Sequence, residues 1–415
     1  MVSGLSNNPS SVYRWVIVVI LFLGIMGMNV LWFIPSPLLN PIMEDLDLSL
    51  TQGGLGISII CLLMAVFSLA GGWLADRIGP KKALMYGLWF IAVGAVWSFI
   101  VNDYAQLIFS RVLIGIGSGL LLTISGVVIM RWFPERERPY VNTINSLLPY
   151  VATVFTFTLT IPMFILFGHS WRVVFGAWGI FMAVTALAWT IWGRDGSDDA
   201  RGLTAERQHE PGWRLYVQVW KNREVRLLSL ALAGDLWSFQ FLTSILPTFY
   251  TAEAGMSMEL SSQLTALFPV AGIAAGLLCG IWMSRLGLRK PFTYPLHVMI
   301  FVGTFMAINC TGFLRVLGIA LAGFGNAGWA PALYTMPMEF EGMTAEKVGA
   351  VFSIMLSIGY LAAFVSPWLG GWLAETISIH HTIFLFSFSS LMAAIATFMM
   401  KETGPSGRGY TRMEG

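Results

Sequence analysis

Long apolar runs, each about as long as a bilayer is thick, dominate the pattern of this chain. A membrane-spanning helix needs about 20 mostly apolar residues. Twelve runs of roughly that length are present, at 14–38, 53–75, 83–101, 106–131, 141–167, 171–193, 226–250, 262–284, 292–310, 313–336, 348–374 and 380–400. Because backbone groups in lipid must be hydrogen-bonded within the protein, we predict that all twelve are α-helices. The predicted fold class is therefore an all-α integral membrane protein.

The longest polar break divides the runs into two equal sets. It covers 194–225, with six runs before it and six after it. We therefore predict an N-terminal six-helix bundle at 1–193, a C-terminal six-helix bundle at 226–403 and a tail at 404–415.

The break at 194–225 is called the linker here. Its second half has an amphipathic pattern. Trp213, Tyr216, Val217 and Trp220 fall on one helical face. This pattern predicts a short helix that lies on the inner leaflet of the membrane. An irregular linker is the alternative.

Basic residues are concentrated on one side of the predicted spans. Of the 24 Lys and Arg residues, only Arg172 and Arg315 fall on the other side, and Arg111 lies inside a span. Because positive charge is enriched in cytoplasmic loops, we expect both termini to be cytoplasmic. The expected location is the inner (plasma) membrane of the cell, with the lipid bilayer as a partner.

The composition excludes several classes of protein. The chain is 56% hydrophobic and 11% charged, whereas an ordinary soluble domain is about 25% charged. This excludes a soluble enzyme, a disordered chain and a nucleic-acid binder. The net charge of +2 gives no bias towards a polyanionic partner. The three cysteines fit neither a disulfide framework nor a zinc site, so we expect no metal and no cofactor.

The two halves of the chain repeat at an offset of 208 residues. Residues 72–82 read GWLADRIGPKK and residues 280–290 read GIWMSRLGLRK. The same offset carries Gly115 and Gly117 of the fourth span to Gly323 and Gly325 of the tenth. An offset shared by two separate motifs indicates a structural repeat. Two bundles with equal span number and orientation are typical of rocking transporters.

The sequence resembles the major facilitator superfamily of secondary transporters over residues 14–400. Its loop signature is met by Gly72, Leu74, Ala75, Asp76, Arg77, Gly79, Lys81 and Lys82. Its fourth-span signature is met by Leu107, Arg111, Gly115 and Gly117. The resemblance implies two pseudo-repeated six-helix bundles, transport by alternating access rather than enzymatic catalysis, and a monomer.

The loop motif has the residues of a latch that forms in one transport state and breaks in the other. The predicted gating latch comprises Gly72, Asp76, Arg77, Gly79, Lys81, Lys82 and, from the second copy, Arg285. Ser284 replaces the acid of the first copy, so we expect Glu339 or Glu341 to serve Arg285. A role in topology alone is the alternative for Lys81 and Lys82.

Three ionisable residues lie deep inside predicted spans. They are Arg111 in the fourth span, Asp235 in the seventh and His297 in the ninth. Each such residue costs about 2.5–3.5 kcal/mol on insertion scales, which marks it as a functional candidate. We expect Arg111 to bond backbone carbonyls of a neighbouring span and to share in proton coupling. We predict Asp235 as the proton-coupling residue, with a satisfied interhelical pair as the alternative, and we favour a structural role for His297.

The resemblance implies that the first, fourth, seventh and tenth spans line a central cavity. The predicted substrate-cavity residues are Asn29, Trp32, Ser238, Phe239, Asn326, Trp329 and Tyr334. The fifth span adds amide and hydroxyl groups, including Asn145.

The solute is predicted to be small and organic. The fifth span lacks the Gly-Pro-rich signature of drug/proton antiporters, and the segment after the sixth span lacks the motif of sugar porters. A strongly anionic solute would meet Asp235 without a deep cation in the second half. We therefore expect proton-coupled transport of a neutral, zwitterionic or cationic solute. A small-anion transporter is the first alternative, because the first, second and eleventh spans resemble nitrate/cyanate-permease-like proteins. A non-transporting membrane sensor or scaffold is the second.

Overall fold

The computed structural model describes residues 9–134, 137–195 and 213–407. Its secondary structure in these ranges is helical, with no strand. Twelve of the described helical segments are long and apolar enough to cross a membrane. The prediction of an all-α membrane protein is confirmed.

The first six spans form the N-terminal bundle. In chain order, their helices are Pro9–Phe33, Leu50–Ile78, Pro80–Trp97, Tyr104–Trp132, Arg138–Leu166 and Trp171–Trp192. A short helix, Leu39–Leu46, connects the first two spans.

The last six spans form the C-terminal bundle. Their helices are Arg223–Ala252, Met258–Leu286, Tyr294–Asn309, Gly312–Gly328 continued by Ala330–Glu339, Ala345–Thr376 and Ile379–Phe398. A helix, Trp213–Trp220, also covers the described end of the linker, and its Val219 is buried against the C-terminal bundle. Residues 196–212 of the linker and the tail beyond Gly407 lie outside the described residues.

Proline explains the two places where the helices differ from the predicted runs. The first span was predicted to reach residue 38, but its helix ends at Phe33, just before Pro35 and Pro37. The tenth span was predicted as one helix, but it breaks at Trp329, just before Pro331. Proline has no N–H to donate and its ring clashes with the carbonyl of the preceding turn, so it interrupts a helix.

The repeated glycines make the same contact in both bundles. A Cβ atom at Gly117 would collide with the backbone of Gly87 in the third span, and one at Gly325 would collide with the backbone of Leu296 in the ninth. Gly115 and Gly323 likewise face the second and eighth spans. Small residues allow such close helix approach in membranes. The offset of 208 therefore corresponds to a repeated packing arrangement.

The two bundles meet at the end of the molecule opposite the termini. Ser36 Oγ donates to Thr243 O at 2.6 Å, and Asn40 Nδ2 donates to Thr251 Oγ1 at 2.8 Å. The other two hydrogen bonds between the bundles, within the described ranges, join the start of the second span to the end of the eleventh and the eighth span to the fifth. The bundles are thus closed against each other at this end, which we call the closed end.

Candidate transport site

A cavity of about 150 Å³ lies between the bundles. It is lined by Ile25, Met28, Asn29, Trp32, Met64, Leu122, Ser125, Asn145, Pro149 and Tyr360. Tyr360 is the one lining residue from the C-terminal bundle, and none of the lining residues carries a charged side chain. The cavity therefore belongs mainly to the N-terminal bundle.

Uncharged polar groups and an aromatic wall define the chemistry of this cavity. Asn29 Nδ2 donates to Ile25 O at 2.8 Å, which leaves the amide oxygen of Asn29 available. Asn145 Oδ1 is buried and has no hydrogen-bond partner among the described residues. The rings of Trp32 and Tyr360 lie 6.4 Å apart and come from different bundles. The arrangement can hold a small solute that has hydrogen-bonding groups and a flat or apolar face.

Arg111 joins three helices of the N-terminal bundle. Its guanidinium group is fully buried and donates to Gly56 O at 2.9 Å, Leu31 O at 2.6 Å and Trp32 O at 2.9 Å. The expected bonds to backbone carbonyls of a neighbouring span are confirmed. Since the same residue Trp32 lines the cavity, Arg111 fixes the backbone beside the cavity. Its share in proton coupling stays a prediction.

Asp235 is held in the core of the C-terminal bundle by an amide. Its side chain is 6% exposed, and Asn326 Nδ2 donates to both carboxyl oxygens at 3.0 and 3.1 Å. The seventh span therefore bonds the tenth through this carboxyl group, and the indole N–H of Trp329 lies beside it as a further donor. Asp235 is not among the residues that line the cavity.

His297 lies beside this carboxyl group without hydrogen-bonding it. Its side chain is fully buried, and its Nδ1 is 3.9 Å from Asp235 Oδ1. The imidazole packs edge-on against the indole of Trp329, with ring centroids 4.5 Å apart. Neither ring nitrogen has a hydrogen-bond partner among the described residues. Asp235, His297, Asn326 and Trp329 thus form one buried cluster, called the Asp235 cluster below.

The other predicted cavity residues lie in three different environments. Ser238 Oγ is 2.6 Å from Ser389 Oγ of the twelfth span, on the side away from the N-terminal bundle. Phe239 packs against Phe33 of the first span, with ring centroids 5.8 Å apart. Tyr334 is half exposed.

Sequence reasoning missed two polar residues of the cavity. Ser125 is in the fourth span, which the resemblance had already assigned to the cavity, so its position was available as a signal. Tyr360 comes from the eleventh span, where a single phenol in an apolar helix gives no indication of which neighbour it faces.

Acidic residues after the last span of each half support the latch loops. Asp195 Oδ1 accepts a hydrogen bond from Lys81 N at 2.8 Å. At the repeat position, Glu402 Oε1 accepts one from Arg289 N at 2.8 Å. Gly79 has φ +86°, a left-handed conformation that favours glycine. The repeat offset could have identified both acids, because they follow the sixth and the twelfth spans at almost the same spacing.

The expected acid for Arg285 is bound elsewhere. Glu339 Oε1 pairs with Arg289 Nη2 at 2.6 Å, so Glu339 serves Arg289 and not Arg285. Arg285 is exposed, and the salt bridges of the described ranges do not include it. The reason is geometric. Arg289 lies beyond the helix end at Leu286, and its side chain points back to donate to Met283 O in the last turn of that helix. The surroundings of Gly72 and the side chain of Asp76 lie outside the described part of the structure.

Comparisons with known proteins agree with this architecture. A sequence model of the Major Facilitator Superfamily matches residues 21–342. The probable galactarate/D-glucarate transporter of Bacillus subtilis is 25% identical over 403 residues, covering 87% of this chain and 86% of that protein. The probable sulfoacetate transporter of Cupriavidus necator is 24% identical and covers 88% of each chain. The cyanate transport protein of Escherichia coli is 26% identical, covering 85% of this chain and 88% of that protein.

Solved structures show the same fold at low sequence identity. A bacterial homologue of the human lysosomal transporter Spinster has a TM-score of 0.78 and 14% identity, covering 98% of both chains. A D-xylose–proton symporter has a TM-score of 0.75 and 16% identity, covering 96% of this chain and 99% of that one. With its twelve spans and its repeated bundles, this chain belongs to the Major Facilitator Superfamily and is a multi-pass membrane transporter, not an enzyme.

Proposed function

We propose that this chain moves a small organic solute across the inner membrane together with protons. The observation that carries the proposal is Asp235, a carboxyl group held by Asn326 inside the C-terminal bundle. A buried carboxylate is unfavourable in the interior of a membrane protein, and protonation removes its charge. The proton therefore changes the relative stability of the transport states, which is what coupling requires.

The structure corresponds in this account to the inward-facing state. The closed end is opposite the termini, and the distribution of Lys and Arg predicts cytoplasmic termini. The solute cavity then opens to the cytoplasm. The outward-facing state requires the contact between Asn40 and Thr251 to break and the latch loops to approach the opposite bundle. The gating latch, from Gly72 to Lys82 with Arg285, would stabilise that second state.

A small organic acid, carried as a monoanion, is the solute class we favour. The preference for a neutral, zwitterionic or cationic solute depended on a solute that meets Asp235, and Asp235 does not line the cavity. The relatives are described as transporters of galactarate or D-glucarate, of sulfoacetate and of cyanate. At neutral pH cyanate carries one negative charge and the other three carry two, so they support an anion, and the restriction to a monoanion comes from the single carboxyl group of Asp235. Amide, hydroxyl and indole groups can bind one carboxylate. A proton taken up at Asp235 would cancel the charge of the monoanion.

A neutral or zwitterionic solute is the second candidate. It is favoured by the lack of a charged side chain among the ten residues that line the cavity. An unpaired charge in such a site loses its hydration without a compensating partner. A cation has no acidic group to pair with in the lining.

Uptake by the purified protein in proteoliposomes tests these assignments. The lumen is made alkaline relative to the medium, and the probes are D-galactonate, benzoate, cyanate, glycine betaine and glycerol. We expect accumulation of at least one small monoanion above the level in protein-free liposomes, abolished by a protonophore. Accumulation restricted to betaine or glycerol would favour the second candidate. Equilibration without accumulation for every transported probe would contradict proton coupling.

A further inference from the structure

The imidazole of His297 in the Asp235 cluster has hydrogen-bonding groups without a role in the proposed proton cycle. A neutral imidazole offers one donor and one acceptor. Both ring nitrogens of His297 are fully buried and unpartnered among the described residues. A buried polar group without a partner is unfavourable, because it has lost its hydrogen bonds to water. Such a group in a native fold calls for a physical reason.

The charge state of the imidazole follows from its contacts. A charged imidazolium would carry two N–H donors and would need two acceptors. Nδ1 is 3.9 Å from the nearest carboxyl oxygen, outside hydrogen-bond range, and Nε2 has no partner among the described residues. His297 is therefore neutral in this state, with a free lone pair on one nitrogen.

The ionised and protonated forms of Asp235 need different partners. An ionised carboxyl group only accepts hydrogen bonds, and Asn326 Nδ2 donates to both of its oxygens. A protonated carboxyl group also has an O–H to donate. The amide nitrogen of Asn326 cannot accept it. The unused nitrogen of His297 is an acceptor within reach that needs no turn of the Asn326 amide, because a shift of about 1 Å would bring Oδ1 and Nδ1 to hydrogen-bond distance.

We infer that His297 accepts a hydrogen bond from the protonated carboxyl group of Asp235 and is the second member of the proton site. This inference rests on the proposed role of Asp235. One proton from the medium adds to the carboxylate, its O–H donates to Nδ1, and release of the proton returns the carboxylate to Asn326. Trp329 packs against the imidazole and keeps the ring in place. His297 acts through Asp235, so it is a positioning residue.

No other group facing the cluster is charged near neutral pH. The titratable groups nearby are the phenols of Tyr150, Tyr334 and Tyr360, from the fifth, tenth and eleventh spans, and the thiol of Cys279 from the eighth. Their ordinary pKa values lie above neutral. The twelfth span presents the hydroxyl of Ser389. Among the described groups of the cluster, the protonation of Asp235 is thus the titration to which His297 can respond.

Two substitutions of similar shape separate acceptor chemistry from packing. His297→Asn keeps a carbonyl oxygen close to the place of Nδ1, whereas His297→Leu has the same branching and no acceptor. Infrared titration of the purified protein measures the carboxylic C=O band, and the band of Asp235 is the one lost in Asp235→Asn. Loss of one hydrogen bond to the protonated form lowers proton affinity about tenfold. We expect the midpoint to move about one pH unit towards acid in His297→Leu and to stay near wild type in His297→Asn.

A measurement on the unmodified side chain covers the case in which His297→Leu does not fold. In protein with ¹⁵N-labelled histidine, the Nδ1 signal of His297 should shift with the same midpoint as the carboxyl band. Equal midpoints in wild type, His297→Asn and His297→Leu, or an Nδ1 signal that ignores the titration, would overturn the inference and leave the role of Asp235 intact. If Asp235→Asn removes no band, the proposed function fails and the inference fails with it.

Discussion

At the scale of single residues, the two buried residues Arg111 and Asp235 are bound in opposite ways. Arg111 has its hydrogen bonds satisfied by three backbone carbonyls of two helices. Asp235 has the Asn326 amide shared between its oxygens, the Trp329 indole beside it and an imidazole just out of reach. A satisfied charge fixes a structure, whereas an incompletely satisfied one can change partners. We therefore propose that Arg111 holds the cavity wall in place and that Asp235 binds and releases the coupled proton.

Arg111→Lys should lower the stability of the protein, because a lysine side chain cannot make all three of these hydrogen bonds at once. The guanidinium reaches carbonyls on two helices with a planar fork, and an ammonium cannot reproduce that spread. We expect a loss of about 2–4 kcal/mol, seen as a lower midpoint of thermal unfolding in detergent. Arg14→Lys, at a partly exposed salt bridge, is the control and should change little. An unchanged midpoint in Arg111→Lys would show that these bonds do not contribute.

The residues of the site differ in how well the sequence predicts them. Asn29 and Trp32 line the cavity, as the sequence predicted. Asp235 and Asn326 bond each other, because a rare polar group in an apolar helix needs a hydrogen-bonding partner. Tyr360 could not be predicted, since a rotation of about 100° per residue separates neighbouring faces of a helix and the sequence does not fix which face meets the cavity.

At the scale of helices, glycines decide how closely the spans pack. The repeat offset predicts the paired positions, and the structure adds what each glycine contacts. The prolines that end the first span and break the tenth were also visible in the sequence. Hydropathy alone predicted an uninterrupted span at both places, because a proline does not change the apolar character of a run.

Gly325→Ala should destabilise the C-terminal bundle. Its Cβ atom would collide with the backbone of Leu296, which cannot move without displacing the ninth span. We expect a cost of about 1–3 kcal/mol, measured as a lower yield of monodisperse protein and a lower unfolding temperature. Gly349→Ala, where nothing lies within 4 Å, is the matched control. Equal behaviour of the two variants would contradict the close packing described here.

At the scale of the whole molecule, Ser36 and Asn40 join the two bundles by hydrogen bonds at the closed end, and the proposed transport cycle requires these contacts to break. The cavity sits mainly in one bundle and the Asp235 cluster in the other. Solute and proton would then bind to different bundles, and the movement of the bundles against each other would join the two events.

A disulfide at the closed end should trap the structure described here. Asn40 Nδ2 and Thr251 Oγ1 are 2.8 Å apart, so Asn40→Cys with Thr251→Cys brings two thiols close together. In a Cys310→Ser background, we expect oxidation to form the cross-link and stop transport, and reduction to restore it. Each single substitution serves as a control. Cross-linked protein that transports at the full rate would mean that these residues do not separate during the cycle.

The most direct test of proton coupling through Asp235 compares driven accumulation with exchange in Asp235→Asn proteoliposomes. The solute is the one that the wild-type protein accumulates under a pH gradient. Asp103→Asn is the control, because Asn caps a helix about as well as the Asp found there. We predict that Asp235→Asn loses accumulation and still exchanges external for internal solute, while Asp103→Asn behaves as wild type. Accumulation by Asp235→Asn at the wild-type level and with the wild-type pH dependence would contradict the account.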